Sequence, residues 1–372
     1  MNVLNFLNCN SLEQLKSNYP LRVKQYPKEG LIVLNYLNSS KASKISNECR
    51  GLILSTDYKV ISRSFDRFFN YNEKSTLTPK GQCHAIEKID GSIIKIYHFN
   101  GNWHVSTRGT AFAECTIPRV KTTYKQAVFE ALGLIISDDD INEQAEHKFQ
   151  QFCQDCGMNI GHSYILELTG KSNRIVTEYN PNKYELWLLG IRCNDPIGKY
   201  IDVSSVKLSD AIRRPTYNVF ENIEECIERS KNLTDFKEGF VVYDQTTFEP
   251  ILKVKSPKYV QAHNIGSMGE NPIKNYYKMI LNGESTEFLA YFPHFKKEFD
   301  ELDKSLKKYF DTAQMEYEKL CKTMQSDTDF KVFDVKPWKQ FAIKAFKNKQ
   351  HLYKTFLDSR ECDQLKFITQ HI

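Results

Sequence analysis

Long apolar runs are missing from this chain of 372 residues. A membrane-spanning helix needs about 20 consecutive apolar residues, and no run in the sequence approaches that length. The first residues, MNVLNFLNCNSLEQLKS, also lack the basic start and the long apolar core of a signal peptide. These absences predict a cytoplasmic protein with no membrane partner.

Cysteine is present, but not in a pattern that builds a disulfide framework or a metal site. The 10 cysteines are scattered along the chain, which favours free thiols. Cys153 and Cys156 have Cys-x-x-Cys spacing, yet a zinc site needs a second such pair or suitably spaced histidines. The candidates for further ligands, Cys193, His147 and His162, do not have that spacing. We interpret the pair as a helix end with two small buried thiols.

A strong charge of one sign is also absent. The formal net charge is +5, which permits an anionic partner without requiring one. A basic run near the C-terminus, KPWKQFAIKAFKNKQHLYK, fits a solvated helix face as well as an RNA-binding surface. With 41% hydrophobic and 26% charged residues, the chain has the composition of a globular protein and is long enough for two domains.

From about residue 30 to residue 256, the chain is a series of short segments rich in β-branched and aromatic residues, which predict strands. They are LIVLNYL, GLILST, KVISRSF, SIIKIYHF, WHVSTR, SYILEL, KYELWLLGI, GFVVYD and ILKVKS. Asn100-Gly101 predicts a type I′ hairpin turn. TTYKQAVFEALGLI and NIEECIERSKNL predict helices between strands. The expected fold class is α+β with largely antiparallel pairing.

The pattern becomes helical after Ser256-Pro257. Apolar residues then recur at spacings of four, three, four and three, the period of one buried helix face. They are Phe295, Phe299, Leu302, Leu306 and Tyr309. We therefore predict two domains, residues 1–258 and residues 259–372.

Lys88 lies in EKIDGS, residues 87–92, just before a strand. Its Lys-x-Asp-Gly pattern is common by chance. A lysine attacks phosphorus only as the free amine, which its ordinary pKa of about 10.4 disfavours at neutral pH, and burial or nearby cations activate it. Lys253 and Lys255 lie two apart in ILKVKS and share one strand face. That face lines a phosphate pocket beside Lys88 or simply meets water; spacing alone leaves both open.

Two glutamates in strand contexts are candidates for holding a divalent ion. Glu167 lies between Leu166 and Leu168 and so points to the opposite face; Glu238 precedes GFVVYD. Carboxylates hold the metal that phosphoryl transfer uses, but surface glutamates are also common. The nearby Gly170-Lys171-Ser172 resembles a P-loop end, yet Ile165 occupies the required first-glycine position, which argues against a Walker-type kinase or ATPase.

Taken in order, these segments resemble the five motifs of the covalent nucleotidyltransferase superfamily of ATP-dependent ligases and capping enzymes. The motifs are EKIDGS, STRGT at 106–110, YILEL, EGFVV and LKVKS. ECRG at 48–51, RFFNYNE at 67–73, NRIVTEY at 173–179 and SPKYVQAH at 256–263 narrow the resemblance. They are similar to the ATP-dependent RNA ligase family typified by the tRNA-repair ligase of T-even bacteriophages. The resemblance covers roughly residues 30–265.

The resemblance implies an antiparallel-sheet nucleotidyltransferase domain, an ATP-grasp-like ligase adenylation fold, followed by an all-helical domain for RNA-substrate specificity. It implies ATP-dependent joining of RNA 5′-phosphate and 3′-hydroxyl ends through lysyl-AMP and an adenylated RNA 5′ end, in RNA or tRNA repair. ATP and Mg²⁺, or Mn²⁺ in its place, would be the cofactors. A separate end-healing kinase and phosphatase would prepare the ends, in the host cytoplasm if the protein is virus-encoded.

The resemblance also implies a role for each residue that matches a motif. Lys88 would carry AMP, and Glu167 and Glu238 would serve the metal and the ribose; Leu34 would replace Tyr36 if the alignment shifted. The implied catalytic residues are Lys88, Glu167, Glu238, Lys253 and Lys255. The implied nucleotide-binding residues are Tyr36, Arg50, Arg67, Phe69, Glu87, Gly91 and Arg108, with Arg67 and Arg108 standing where the phage enzyme has lysines.

Two alternatives remain. A DNA ligase or capping enzyme of the same superfamily would append an OB-fold after the fifth motif, which predicts strands where this sequence predicts helices. A catalytically inactive RNA-binding protein would keep the fold but would be expected to have lost one of the motif lysines or glutamates.

Overall fold

The computed structural model describes residues 1–37, 42–71, 73, 78–118, 120–136, 141–173, 175–265, 272–322, 338–359 and 361–371. The chain divides into two compact units, Met1–His263 and Asn264–Ile372. The sequence analysis placed its domain boundary at residue 258. Among the described residues, no helix is long and apolar enough to cross a membrane.

The strands all lie in the first unit of the described chain. They are β1 (Leu21–Tyr26), β2 (Leu31–Tyr36), β3 (Arg50–Ser55), β4 (Val60–Ser62), β5 (Phe69–Asn70), β6 (Cys83–Glu87), β7 (Ser92–Phe99), β8 (Asn102–Thr107), β9 (His162–Gly170), β10 (Tyr184–Cys193), β11 (Tyr200–Ile201), β12 (Ile212–Arg213), β13 (Tyr217–Phe220), β14 (Gly239–Tyr243) and β15 (Pro250–Lys255).

The helices lie in both units. They are α1 (Asn2–Leu7), α2 (Leu12–Asn18), α3 (Lys44–Glu48), α4 (Tyr124–Ala131), α5 (Glu143–Asp155), α6 (Ile223–Lys231), α7 (Pro257–Ile265), α8 (Pro272–Asn282), α9 (Ser285–Tyr291), α10 (Lys296–Cys321), α11 (Lys339–Asn348), α12 (Leu352–Leu357) and α13 (Glu361–His371), with 3₁₀ turns at Val203–Ser205 and Pro293–Phe295.

Three sheets form the first unit. Their strand orders are β1-β2-β3-β4, β11-β10-β9-β7-β8 with β12 beside β10, and β13-β6-β14-β15-β5. The pairs are antiparallel except β10 with β12 and β15 with β5, which are parallel. The α+β class with largely antiparallel pairing is confirmed, although the segment KVISRSF forms only the short β4.

Local sequence accounts for several of these elements. Asn100 and Gly101 have φ of 48° and 79° and join β7 to β8, so the predicted hairpin turn is confirmed. Helix α4 begins with a capping box between Thr123 and Gln126, which satisfies main-chain donors at the first turn. Helix α5 ends at Asp155 with Cys156 as its C-cap, so the interpretation of the Cys-x-x-Cys pair as a helix end is confirmed. Cys153 is buried but Cys156 is only half-buried, so the prediction of two buried thiols is wrong for Cys156.

The main core of the first unit lies between the middle sheet and the two helices that cross it. Ile94 on β7 and Leu166 on β9 are fully buried there, against Phe129 of α4 and Phe149 of α5. The rings of Phe129 and Phe149 have centroids 4.9 Å apart. Because this face of the sheet is packed, the polar side chains on the opposite face are free to form a site.

The described residues of the second unit form helices and one 3₁₀ turn joined by short connections. Helix α10 buries Phe299 and Leu306, as the apolar period predicted, while Phe295 precedes the helix as its N-cap. Phe310 of the same helix packs on Phe356 of α12 with ring centroids 4.5 Å apart. The unit therefore has an aromatic core of its own.

Candidate active site

A pocket of about 670 Å³ is lined by residues of all three sheets. It brings together most of the residues that the motifs identified, although they lie far apart in sequence. Those that line it are Arg50, Glu87, Lys88, Gly91, Arg108, Glu167, Glu238, Lys253 and Lys255.

The three remaining predicted residues form a cluster with one of the arginines that line the pocket. The guanidinium carbon of Arg67 lies 4.8 Å from the ring centroid of Tyr36 and 5.3 Å from that of Phe69. Arg108 lies 5.1 Å from the same Tyr36 ring. Burial raises the pKa of the Tyr36 phenol, but the positive charges of Arg50, Arg108 and Arg67 outweigh that effect and lower it.

The alternative alignment of the tyrosine motif would put Leu34 at the nucleotide. Leu34 is fully buried in an apolar cluster with residues of α1, α2 and β3. The cluster of arginines surrounds Tyr36 instead, which favours Tyr36 as the residue beside the pocket.

Lys88 is held next to Glu238 by strand pairing. Strands β6 and β14 are antiparallel neighbours, and the main-chain N–H of Lys88 donates to the Gly239 carbonyl at 2.8 Å. The lysine Nζ then donates to Glu238 Oε2 at 2.6 Å. Lys88 keeps 22% of its side chain exposed, whereas Glu238 keeps 5%, so the amine is the accessible member of this pair.

Glu238 bridges two lysines. Its Oε1 lies 3.5 Å from Lys255 Nζ. Val254, which lies between Lys253 and Lys255 in β15, is buried on the other side of the strand. Burial raises the pKa of Glu238, but Lys88 and Lys255 outweigh burial and the net shift is downward. The sequence predicted only cations, Lys253 and Lys255, beside Lys88. The structure places a carboxylate there, because Glu238 directly precedes β14, which pairs with β6 on one side and with β15 on the other.

Glu167 lies in the middle of β9 and is the counterpart of Glu238. Its neighbours Leu166 and Leu168 are fully buried in the core, and Glu167 is 6% exposed on the pocket side. Burial raises its pKa to about 8; Lys88 opposes this rise and Glu238 adds to it. The pKa values of the two carboxyl groups are therefore shifted in opposite directions, that of Glu167 upward and that of Glu238 downward.

Arg50 has hydrogen-bond donors without protein acceptors. Its Nε and Nη1 are buried and have no hydrogen-bond partner among the described residues, and its guanidinium carbon lies 5.4 Å from the Phe68 ring centroid. Buried donors in native proteins are almost always paired, and guanidinium groups pair best with carboxylates and phosphates. The arrangement is that of an anion site.

Phe68 lines the pocket, a position that the sequence analysis did not assign. Its ring lies between Arg50 and Lys253, whose Nζ is 4.8 Å from the ring centroid. Phe69, the predicted residue, lies in β5 beside Arg67. Successive side chains of an extended chain point to opposite sides, so the Phe-Phe pair does not reveal which ring meets the pocket.

Asp90 joins the segment around Lys88 to two parts of the first unit that are distant in sequence. The carboxylate is 2% exposed; its Oδ2 accepts from the main-chain N–H groups of Val176 and Thr177 at 2.9 and 2.8 Å. Its Oδ1 accepts from the Tyr259 hydroxyl of α7 at 2.7 Å. This accounts for the aspartate of Lys-x-Asp-Gly as an anchor. Arg174, in the motif NRIVTEY, lies outside the described residues.

Gly91 is required by close backbone approach. A Cβ atom at this position would lie 2.2 Å from the Leu168 carbonyl oxygen, far inside van der Waals contact. The chain therefore lies tightly against β9 just before β7 begins, and a Cβ atom here would also lie 3.1 Å from Cγ of Glu167.

Two of the three glutamates that line the pocket, Glu167 and Glu238, are the candidates for holding a metal ion. Within the described residues, no group of three or more His, Cys, Asp and Glu side chains could hold one. Mg²⁺ is commonly bound by one or two carboxylates with water and substrate phosphates completing its octahedron. Glu167 and Glu238 fit that kind of site.

Residues 48–259 match the RNA ligase family. The chain is 37% identical over 310 residues to a putative bifunctional polynucleotide kinase/RNA ligase of Autographa californica nuclear polyhedrosis virus, covering 80% of this chain and 42% of that protein. It is 26% identical over 310 residues to an RNA ligase of Rhodothermus phage RM378, covering 65% and 68%.

Among solved structures, the chain is similar to an archaeal ATP-dependent RNA ligase, with a TM-score of 0.46 and 14% identity over 78% of this chain and 74% of the other.

Proposed function

The chain belongs to the RNA ligase family, and from that premise we propose that it joins RNA ends in an ATP-dependent reaction with Lys88 as the nucleophile. It spans 42% of the length of the baculovirus relative. The single observation that carries the proposal is the composition of one pocket: an accessible lysine amine lies beside buried arginine donors that have no acceptor in the described part of the chain.

In the first step, Lys88 Nζ attacks the α-phosphorus of ATP. A nitrogen–phosphorus bond forms, the bond from the α-phosphorus to the bridging oxygen breaks, and pyrophosphate leaves. Nζ must lose one proton to become a nucleophile and a second one after the attack, which leaves a neutral nitrogen bonded to an anionic phosphate; Glu238 takes the first proton and solvent the second. Because Glu238 is the carboxylate that contacts Lys88 Nζ, the ion pair of Lys88 and Glu238 has to separate before the attack. Glu238 then remains beside Lys255.

The phosphates are placed by the cations that surround this nitrogen. Arg50 supplies unpaired donors, and Lys253 and Lys255 line the same pocket. Fixed charges aimed at the reacting phosphate stabilise developing negative charge more than water does. When bound at Glu167 and Glu238, Mg²⁺ would neutralise phosphate oxygens.

In the later steps, AMP passes to an RNA 5′-phosphate and an RNA 3′-hydroxyl then displaces it, sealing the strand. The substrate is RNA with these two ends, from broken tRNA or another structured RNA. Ends of this kind require a kinase and a phosphatase, and the printed name of the baculovirus relative pairs a polynucleotide kinase with its ligase. The helical C-terminal unit, whose α11 exposes Lys344 and Lys347, contributes to RNA selection.

The alternative of a DNA ligase or capping enzyme is less well supported. Such enzymes carry an OB-fold after the fifth motif, whereas the described residues from Pro257 to the C-terminus form helices and one 3₁₀ turn. An inactive RNA-binding protein would not need the lysine and both buried glutamates in one pocket.

The first experiment incubates the purified chain with Mg²⁺ and α-labelled ATP or α-labelled GTP. Label should enter the protein from ATP only and should be lost in Lys88→Ala. Lys171→Ala is the matched control, because Lys171 is also ion-paired with a glutamate, Glu130, but does not line the pocket. Labelling from GTP, or undiminished labelling of Lys88→Ala, would overturn the assignment.

A second experiment separates RNA from DNA. A 5′-phosphorylated single-stranded RNA and a DNA of the same base order are offered with ATP and Mg²⁺, and circular products are measured. Circular RNA should form in excess. If circular DNA forms faster, the RNA proposal is wrong even though Lys88 carries AMP.

A further inference from the structure

A second lysine, Lys95, is buried a short distance from the pocket and has no role in the chemistry proposed above. It lies on β7 and is 1% exposed. Its Nζ donates to the Gly51 carbonyl at 2.6 Å and to Ser62 Oγ at 3.0 Å. Among the described residues it forms no ion pair with a carboxylate. The ammonium group is thus enclosed by neutral oxygen atoms.

Lys95 connects two sheets through these bonds. Gly51 belongs to β3 and Ser62 to β4, both in the first sheet, whereas Lys95 belongs to the middle sheet. Ser62 Oγ is in turn 2.7 Å from Ser163 Oγ on β9. The lysine is therefore the cationic centre of a buried polar contact between the sheet that carries Arg50 and the sheet that carries Glu167.

Gly51, whose carbonyl accepts the hydrogen bond from Lys95, lies beside both arginines that line the pocket, Arg50 and Arg108. Gly51 follows Arg50 directly and has φ of +71°, a conformation that few residues other than glycine adopt. A Cβ atom on Gly51 would lie 3.0 Å from the Cα of Arg108 and 3.2 Å from its carbonyl oxygen. A displacement of this peptide would therefore move Arg50 and press on Arg108.

Burial makes this lysine costly to keep. Removing an ammonium group from water without a counter-charge is strongly unfavourable, and burial accordingly lowers the pKa of Lys95 to about 7. A methionine would fill the same volume without that cost. The bond to Gly51 is what an apolar side chain cannot replace, so the position serves geometry at the expense of stability.

We propose that Lys95 is a positioning residue for nucleotide binding: by holding the Gly51 carbonyl, it keeps Arg50 and Arg108 directed at the phosphates. This inference rests on the proposed function, because the ligand of the two arginines is the nucleotide. Lys95 does not touch the nucleotide itself, since it does not line the pocket.

The test compares Lys95→Met with Tyr97→Phe in the full chain. Tyr97 is the matched control: it is fully buried two residues along β7 and also donates to a main-chain carbonyl, that of Ala111, at 2.9 Å. Both variants lose one buried side-chain bond to the backbone, but only Lys95→Met loses the one that holds Gly51. Lys95→Gln, which retains an N–H donor, serves as a third variant if Lys95→Met does not fold.

The readout is the rate of lysyl-AMP formation against ATP concentration, with thermal unfolding measured in parallel. Lys95→Met should raise the ATP concentration for half-maximal rate by about tenfold, the effect of a hydrogen bond to a charged group, and should unfold no lower than wild type. Lys95→Gln should lie between the two, and Tyr97→Phe should bind ATP as wild type does.

One outcome would contradict the positioning role of Lys95, and another would contradict the proposed function as well. If wild type forms lysyl-AMP and Lys95→Met has an unchanged ATP dependence, or one that Tyr97→Phe shares, the positioning role is wrong. If wild type itself takes no label from ATP, the proposed function fails and the positioning role fails with it.

Discussion

The two sides of the pocket satisfy their charges in opposite ways. On the side of β14 and β15, Glu238 pairs with Lys88 and Lys255 at 2.6 and 3.5 Å. On the side of β3, Arg50 has two buried donors for which the residues that the structure describes provide no acceptor. The first side is electrostatically complete before anything binds, while the second is complete only with an anion present. Binding energy should therefore come chiefly from the arginine side, and the chemistry from the lysine side.

The largest expected effect comes from breaking the lysine side with Glu238→Gln. Removal of this carboxylate leaves Lys88 and Lys255 as neighbouring cations and takes away the group that would accept the proton of the amine, a contribution of about 10²–10⁴ in rate. We expect lysyl-AMP formation to fall by about three orders of magnitude, measured with α-labelled ATP. Near-normal labelling would show that Glu238 neither orients the nucleophile nor receives its proton.

A smaller effect is expected from Glu167→Gln. This substitution should stabilise the folded protein relative to wild type as pH rises. Because the folded-state pKa of Glu167 is raised to about 8, the folded protein binds more protons than the unfolded chain between about pH 4.3 and that value. Stability from this group is therefore lost as pH rises. Glutamine imitates the protonated acid and does not titrate.

The check is denaturant unfolding of wild type and Glu167→Gln from pH 5 to pH 8. The difference in the free energy of unfolding, Glu167→Gln minus wild type, should increase by roughly 1 kcal/mol for each unit of rising pH. The same comparison for Glu238→Gln should lack this gain, because the pKa of Glu238 is lowered. A constant difference across the range for Glu167→Gln would contradict the protonated state.

The smallest of the three effects is expected from Arg50→Met, which tests the arginine side. Loss of charge-assisted bonds to phosphate should weaken ATP binding by one to two orders of magnitude, at about 1.5–3 kcal/mol. Stability of the free protein should not fall, because two of the removed donors had no acceptor. Equilibrium binding and thermal unfolding measure the two quantities; a destabilised variant with normal ATP binding would reverse the comparison.

The sequence predicted the outline of this pocket better than its interior. Alternation along ILKVKS placed Lys253 and Lys255 on one face, and the structure agrees because the intervening Val254 is buried. The position of Glu238 between Lys88 and Lys255 was not predictable, because it depends on β14 pairing with β6 on one side and β15 on the other. The order of strands in a sheet cannot be predicted from the alternation of apolar residues within each strand.

The same limit explains the other differences. The role of Asp90 depends on Val176, Thr177 and Tyr259, between 86 and 169 residues away in sequence. Lys95 stands in SIIKIYHF like any polar residue of an alternating strand, and its burial comes from the first sheet packing over that face. Helix α1 was also missed, since a six-residue helix gives too short a period to recognise.

The central claim is that Lys88 Nζ is the atom that receives AMP. The most direct measurement incubates wild-type protein with ATP and Mg²⁺, digests it under conditions that preserve the phosphoramidate, and locates the AMP adduct by mass spectrometry. The account predicts AMP on the peptide containing EKIDGS, at Lys88, and its removal by added pyrophosphate with regeneration of ATP. AMP on Lys253, Lys255 or any other residue would contradict it.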